Sequence, residues 1–282
     1  MNKPWLMAIS GLRMTVCGAL LQVNTAWAGD PDDVTRFMAG KSCLRCDLRY
    51  ENAVSHTVKD GDLRGAYMFN MNLYNARLNG ARLESANLQT ANLERADLSR
   101  ARLDRATLSH ASLAGATLIG SSLQQVTARE ANFDAADLSN ADLSTSDLRK
   151  SSFIFVFAEG SNFMSSDLRL TNFSKARASG AQFMNANLAG ANFSAAILPS
   201  ADMRRALMQR INLSGANLAY SNLAGAVLKD ANLQKADLTG VNLSNADLQN
   251  ADLTGAEMGS TLLEGANTCG AKLPPGRATP AC

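Results

Sequence analysis

Cys43 and Cys46, three residues apart, are the side chains of this 282-residue chain best spaced for chemistry. A C-x-x-C pair can exchange disulfides, supply half of a zinc site, or close a bond across a tight turn. Residues at the two ends of a β-turn lie within about 7 Å of each other, inside disulfide range. The spacing therefore favours a Cys43–Cys46 disulfide over a redox or metal role. Cys269 and Cys282 bracket a turn-rich segment, Lys272-Leu273-Pro274-Pro275-Gly276, and are expected to form a second bond that fastens the C-terminal tail.

Other chemistry is sparse. The chain has two histidines, His56 and His110. His110 could be oriented by Glu130 as a general base, but no nucleophile accompanies it, and a solvated surface pair is the better reading. There is no G-x-S-x-G or phosphate-binding loop. No catalytic, cofactor-binding or metal-binding residues are assigned, no cofactor is expected, and the chain is read as not an enzyme.

The first residues place Lys3 and Arg13 before an uncharged stretch, Met14–Val23, and then Ala26, Trp27 and Ala28. That is the layout of a signal peptide covering 1–28, cleaved after Ala28, and its apolar part falls well short of the roughly 20 residues of a membrane span. A periplasmic or secreted protein without a transmembrane segment is expected, in a compartment that permits disulfides. Removal of Lys3 and Arg13 leaves 25 basic residues against 25 acidic ones. A neutral chain lacks the accumulated cations that grip nucleic acid, and equally lacks the acidity of a DNA mimic.

One pattern organises the remainder. Every fifth position from Leu63 to Leu273 gives 43 sites, of which 39 are Leu, Phe or Met; the exceptions are Ala128, Ala158, Ala178 and Thr268. Two residues earlier the chain has Ala at 29 of the 43 places, as in Ala91-Asn92-Leu93, usually with Asn or Asp between. A period of five fits neither a helix nor a simple strand. Extended chain would put the first and third residues of each unit on one side and leave two polar residues to turn a corner. Of 15 glycines between 61 and 275, 13 occupy the second corner position, where a type II turn needs positive φ.

These units, across about three quarters of the chain, resemble the pentapeptide-repeat family. The resemblance implies an all-β fold, a right-handed quadrilateral β-helix with four pentapeptides per coil and the Leu/Phe and Ala positions stacked inward. Residues twenty apart should then be stacked neighbours, in a rod on the order of 50 Å long. A zinc site built from cysteines at both ends is excluded by that length. A short helix within 31–42, with Asp32 and Asp33 ahead of Val34, Phe37 and Met38, should cap the first coil before Gly40.

The expected organisation is a signal peptide at 1–28, an N-terminal cap with the C-x-x-C and a loop at 29–62, the solenoid at 63–273 and a tail at 274–282. The loop is placed at 51–60 because Glu51 and His56 fall on inward slots. Substituting Asp for Leu138 should be ruinous, whereas Asp142→Ala should change little.

Around residue 154 the polar corner pattern fails. Ile154, Phe155 and Phe157 occupy slots that elsewhere face solvent, and Phe157, Arg177 and Ile197, twenty apart, should share one face. They form the candidate interaction patch. The alternative is an apolar loop folded back on the solenoid. The column of asparagines from Asn72 through Asn232 reads as an amide ladder that stabilises stacked strands, or more remotely binds an ordered ligand. Taken together, a noncatalytic scaffold is expected that binds another protein, or itself, and no nucleic acid. The alternatives are an envelope polysaccharide or surface-binding module and, disfavoured by export and neutrality, a DNA mimic of the kind some family members use to protect topoisomerases.

Overall fold

A computed structural model describes residues 28–275. Its unit is legible in Ala91-Asn92-Leu93-Glu94-Arg95. Ala91 and Leu93 point inward and are 1% and 0% exposed. Asn92 lies on the outer wall and forms parallel bridges to Asn72 below and Ser112 above. Such bridges join residues twenty apart continuously from Asp47 to Lys272, so each coil has four walls of five residues.

Backbone hydrogen bonds hold both the stack and the corners. Leu93 N–H donates to the Ser112 carbonyl at 2.7 Å, Asn92 N–H to the Met71 carbonyl at 2.9 Å, and Ala96 N–H closes the turn onto the Leu93 carbonyl at 3.0 Å. The Asn92 Oδ1 accepts from Glu94 N–H at 3.0 Å, and Asp97, Asn132, Asp137 and Asn172 repeat that arrangement. This is why Asn and Asp dominate the middle slot: their short side chains cap an amide at the corner that the turn leaves without a backbone partner. The second corner residue has positive φ at every fifth position from Arg45 to Gly270, including Phe155 at 56° and Leu170 at 60°. Glycine and asparagine fit this slot best, but the fold imposes it on every side chain there.

The axis is filled by the Leu and Phe positions. Phe133, Phe153, Phe173 and Phe193 stack with centroids 4.8, 4.3 and 4.6 Å apart, and Phe163 lies 5.0 Å from Phe183 in a second column, edge-on to the first. Ala158 and Ala178 belong to the same coils. Their small side chains leave the volume that two phenylalanines per coil require, which accounts for two of the exceptions to the Leu pattern. Where Ser or Thr replaces the inward Ala, the hydroxyl donates to a carbonyl. Ser121 Oγ reaches the Leu118 carbonyl, and Ser166 Oγ the Leu143 carbonyl, each at 2.7 Å, so the buried group is satisfied.

The cap is a helix, α1, at Pro31–Met38. Asp30 is its N-cap and accepts from the N–H groups of Asp32 and Asp33. Phe37 is fully buried and Val34 packs beside it, but Met38 faces solvent. Asp33 Oδ2 accepts from Asp47 N–H at 3.0 Å, which ties α1 to the first wall.

The loop expected at 51–60 is replaced by a regular coil. Asn52 and Thr57 bridge Asn72 and Arg77, and Ala53 and Val58 are buried, so the stacked architecture starts ahead of residue 63. The two polar inward residues meet the backbone of the cap and not a dry axis. His56 Nε2 lies 2.9 Å from the Phe37 carbonyl oxygen, and the Glu51 carboxylate accepts from Gly29 N–H at 3.4 Å.

Candidate interaction surface

Phe157, Arg177 and Ile197 occupy successive middle slots of one wall and are bridged in series, Phe157 to Arg177 and Arg177 to Ile197. Phe157 is 42% exposed and Ile197 44%. The column runs from Asp137 to Asn217 at its two borders, so the apolar strip is bounded by polar side chains. Beneath Phe157 and Arg177 the inward residues Ala158 and Ala178 are small, where the phenylalanines of the adjoining walls fill the axis, while Leu198 lies beneath Ile197. Those rings leave no room for Phe157 to turn inward.

Phe155 stands on the adjacent corner, 53% exposed at positive φ. Lys175 Nζ lies 5.1 Å from its ring centroid, and the Arg177 guanidinium carbon lies 5.9 Å from that of Phe157. Both distances are within cation–π range. Arg177 also approaches Glu159 at 3.4 Å. Ile154, by contrast, is half-buried, and its N–H donates to Asp134 Oδ1 at 2.9 Å. The exposed surface consists of Phe155, Phe157, Arg177 and Ile197.

The asparagine ladder spends its groups internally. Asn192, Asn212 and Asn232 each donate through Nδ2 to Oδ1 of the asparagine one coil below, at 3.2, 3.1 and 3.2 Å. The same oxygens of Asn192 and Asn212 also accept the corner N–H groups of Ser194 and Ser214. With its oxygens engaged twice, the ladder is a brace and offers few acceptors to a ligand.

The titratable groups behave likewise. His110 Nδ1 is 3.6 Å from Glu130, which Lys150 also reaches at 3.2 Å, all on the open surface. Arg102 and Arg82 share Glu84 at 3.2 and 3.7 Å. Five Asp-x-Arg tripeptides form ion pairs within one unit: at Asp47, Asp62, Asp147, Asp167 and Asp202 the arginine two residues on binds back. The recurring D-L-R and D-M-R strings were the available signal for these pairs. Hydrogen bonding from Arg149, joined by Arg129, holds Asp147 down to about 2 against the opposing effect of burial. A depressed carboxylate adds stability that is present above its ordinary 3.8 and is lost as pH falls toward 2.

Cys43 and Cys46 are joined in a disulfide with Cα atoms 5.4 Å apart, both buried. With Asp33 they are the one group of potential metal donors among the described residues, but bonded sulfurs cannot act as the thiolates a metal requires. Cys269 is disulfide-bonded; its expected partner, Cys282, lies outside the described residues, as does the leader assigned to 1–28 apart from Ala28. Among the described residues no helix is long and apolar enough to cross a membrane.

The family described as Pentapeptide repeats (8 copies) matches residues 62–100, 86–125, 129–164, 166–205, 206–245 and 231–267. Similar solved structures include HetL, a pentapeptide repeat protein involved in heterocyst differentiation regulation from the cyanobacterium Nostoc sp. strain PCC 7120. It is 26% identical, with a TM-score of 0.41, over 86% of this chain and 96% of that one. Rfr23 from the cyanobacterium Cyanothece 51142 is 26% identical, with a TM-score of 0.26, over 45% of this chain and 90% of that one. Full-length QnrB1, a plasmid-mediated fluoroquinolone resistance protein, is 19% identical, with a TM-score of 0.26, over 76% and 92%. No curated protein matches. On the family match, which spans more than half of its residues, this chain belongs to the pentapeptide-repeat family.

Proposed function

We propose that this protein is a noncatalytic, exported scaffold, wound right-handed as its family resemblance implies, that presents the Phe155, Phe157, Arg177 and Ile197 surface to another protein. The observation that carries this reading is the pair of phenylalanine rings standing outward under Lys175 and Arg177. Exposed aromatics beside arginine are the composition of interface anchors. The rod supports them rigidly, since their backbone is bonded to the coils on both sides.

The leader-like residues 1–28 and the disulfide between Cys43 and Cys46 support the reading of an exported protein, periplasmic or secreted. The paired variant Phe155→Ser, Phe157→Ser tests the surface. Its melting temperature should match the wild type, while a protein retained from envelope extracts by the wild-type rod, or the rod's own dimer mass, is lost. Unchanged partners and unchanged mass would remove the proposal.

A further inference from the structure

We propose a second docking site, on the corner carrying Lys150, Leu170, Gly190 and Arg210, whose ligand is an extended acidic peptide segment of a partner protein. A groove of about 480 Å³ opens there, bordered by Arg149 and Arg169. It lies across the asparagine-ladder wall from the Phe157 strip and does not include it.

The floor is apolar for a local reason. Leu170 is 60% exposed on a left-handed corner, where nothing in the backbone calls for a leucine. One coil on stands Gly190, also at positive φ. A Cβ there would come within 2.8 Å of Leu170 Cδ2, so the space beside Leu170 exists because residue 190 is glycine.

Two kinds of cation surround it. Arg149 and Arg169 are tied to Asp147 and Asp167 at 2.8 and 2.6 Å, so they serve as walls with their charge already answered. Arg210 makes no side-chain hydrogen bond or ion pair among the described residues, and Lys150 holds only the exposed Glu130 at 3.2 Å, a bond that water or another carboxylate readily replaces. The charge available to a ligand therefore sits at the two ends of the groove, with the apolar floor between.

The spacing selects the ligand. Lys150 and Arg210 are three coils apart, about 14 Å along the rod. In an extended peptide, residues i and i+4 are also about 13 Å apart, and i+2 lies on the same side between them. The matching pattern is acidic-x-apolar-x-acidic, its carboxylates on Lys150 and Arg210 and its middle side chain over Leu170 and Gly190.

Fluorescence polarisation at low salt, using a fluorescein-labelled peptide of sequence Ser-Glu-Ser-Leu-Ser-Glu-Ser, tests this. The full chain should bind it, and should bind a control with serine in place of leucine about tenfold more weakly. Lys150→Gln with Arg210→Gln, and separately Leu170→Ser, should each weaken the leucine peptide about tenfold with circular dichroism unchanged. The glutamine pair breaks no bond on which the fold depends, so it keeps the test valid should Leu170→Ser disturb the corner. The Phe155→Ser, Phe157→Ser protein should bind the peptide normally, which separates this site from the other surface. Equal binding by all variants, no peptide binding at all, or substitution-sensitive binding confined to phosphatidylglycerol vesicles or polygalacturonate would overturn the proposal.

Discussion

A hydroxyl and a carboxylate fare differently inside this tube. Ser121 and Ser166 are accepted at inward slots because each finds a carbonyl for its single proton. An aspartate at Leu138, which is 0% exposed, would find no donor, since the surrounding amides are already committed to the ladder. Leu138→Asp should therefore cost about 4 kcal/mol or more and collapse the thermal transition in calorimetry. Asp142→Ala is milder but not silent. Asp142 accepts from Ser144 N–H at 2.9 Å, Gln124 Nε2 at 2.7 Å and Asn162 Nδ2 at 3.1 Å, so its loss should cost about 1 kcal/mol. A Leu138→Asp melting temperature equal to the wild type, or no shift for Asp142→Ala, would contradict these assignments. The pentapeptide pattern shows which side Asp142 faces. It also puts Asn162, twenty residues on, in the stacked slot, but not Gln124, whose side chain reaches Asp142 diagonally from a corner eighteen residues away.

Helix α1 and the Cys43–Cys46 bond act together at the end where stacking stops. The short capping helix, from Asp32 and Asp33 to Gly40, could be read directly, and so could a disulfide across one turn; the Asp30 N-cap comes from the structure alone. What could not be read was the regular coil at 51–60. Glu51 and His56 look forbidden against a dry interior, but they reach backbone groups of Gly29 and Phe37, whose positions depend on how α1 docks. The exposure of Phe157 and Ile197 follows from the period, while Ile154 is half-buried like Tyr74, Glu94 and Asp134 at the same corner slot, a gradation that a polar-or-apolar pattern does not carry. A disulfide closing so short a loop contributes about 2 kcal/mol. Reduction should accordingly speed amide hydrogen exchange in α1 and the first coil while leaving the coils around Phe173 unchanged. Faster exchange throughout the rod on adding reductant would show that the bond supports more than its own end.

Because each coil touches only the coils beside it, stability along the rod is set locally and need not be uniform. The middle, where the rings of Phe133, Phe153, Phe173 and Phe193 stack and Phe163 and Phe183 meet them edge-on, combines aromatic contact with full burial. Toward the other end the filling thins. Ala256 and Met258 are each 7% exposed, Leu263, Ala266 and Leu273 are only partly buried, and Thr268 replaces an aliphatic side chain on the axis. Both proposed docking surfaces fall on the phenylalanine-filled coils, which suits sites that must keep their shape when a partner arrives. Native-state hydrogen exchange should then show the slowest amides between residues 133 and 193 and the fastest ladder amides between 254 and 273, with protection falling coil by coil between them. The last coil lends its amides to one neighbour, as Lys272 N–H does to the Ala251 carbonyl, whereas amides near Phe173 are bonded within coils packed on both faces. Equal protection from end to end would mean that the rod opens only as a whole, and that the aromatic centre confers no local rigidity on the surfaces it carries.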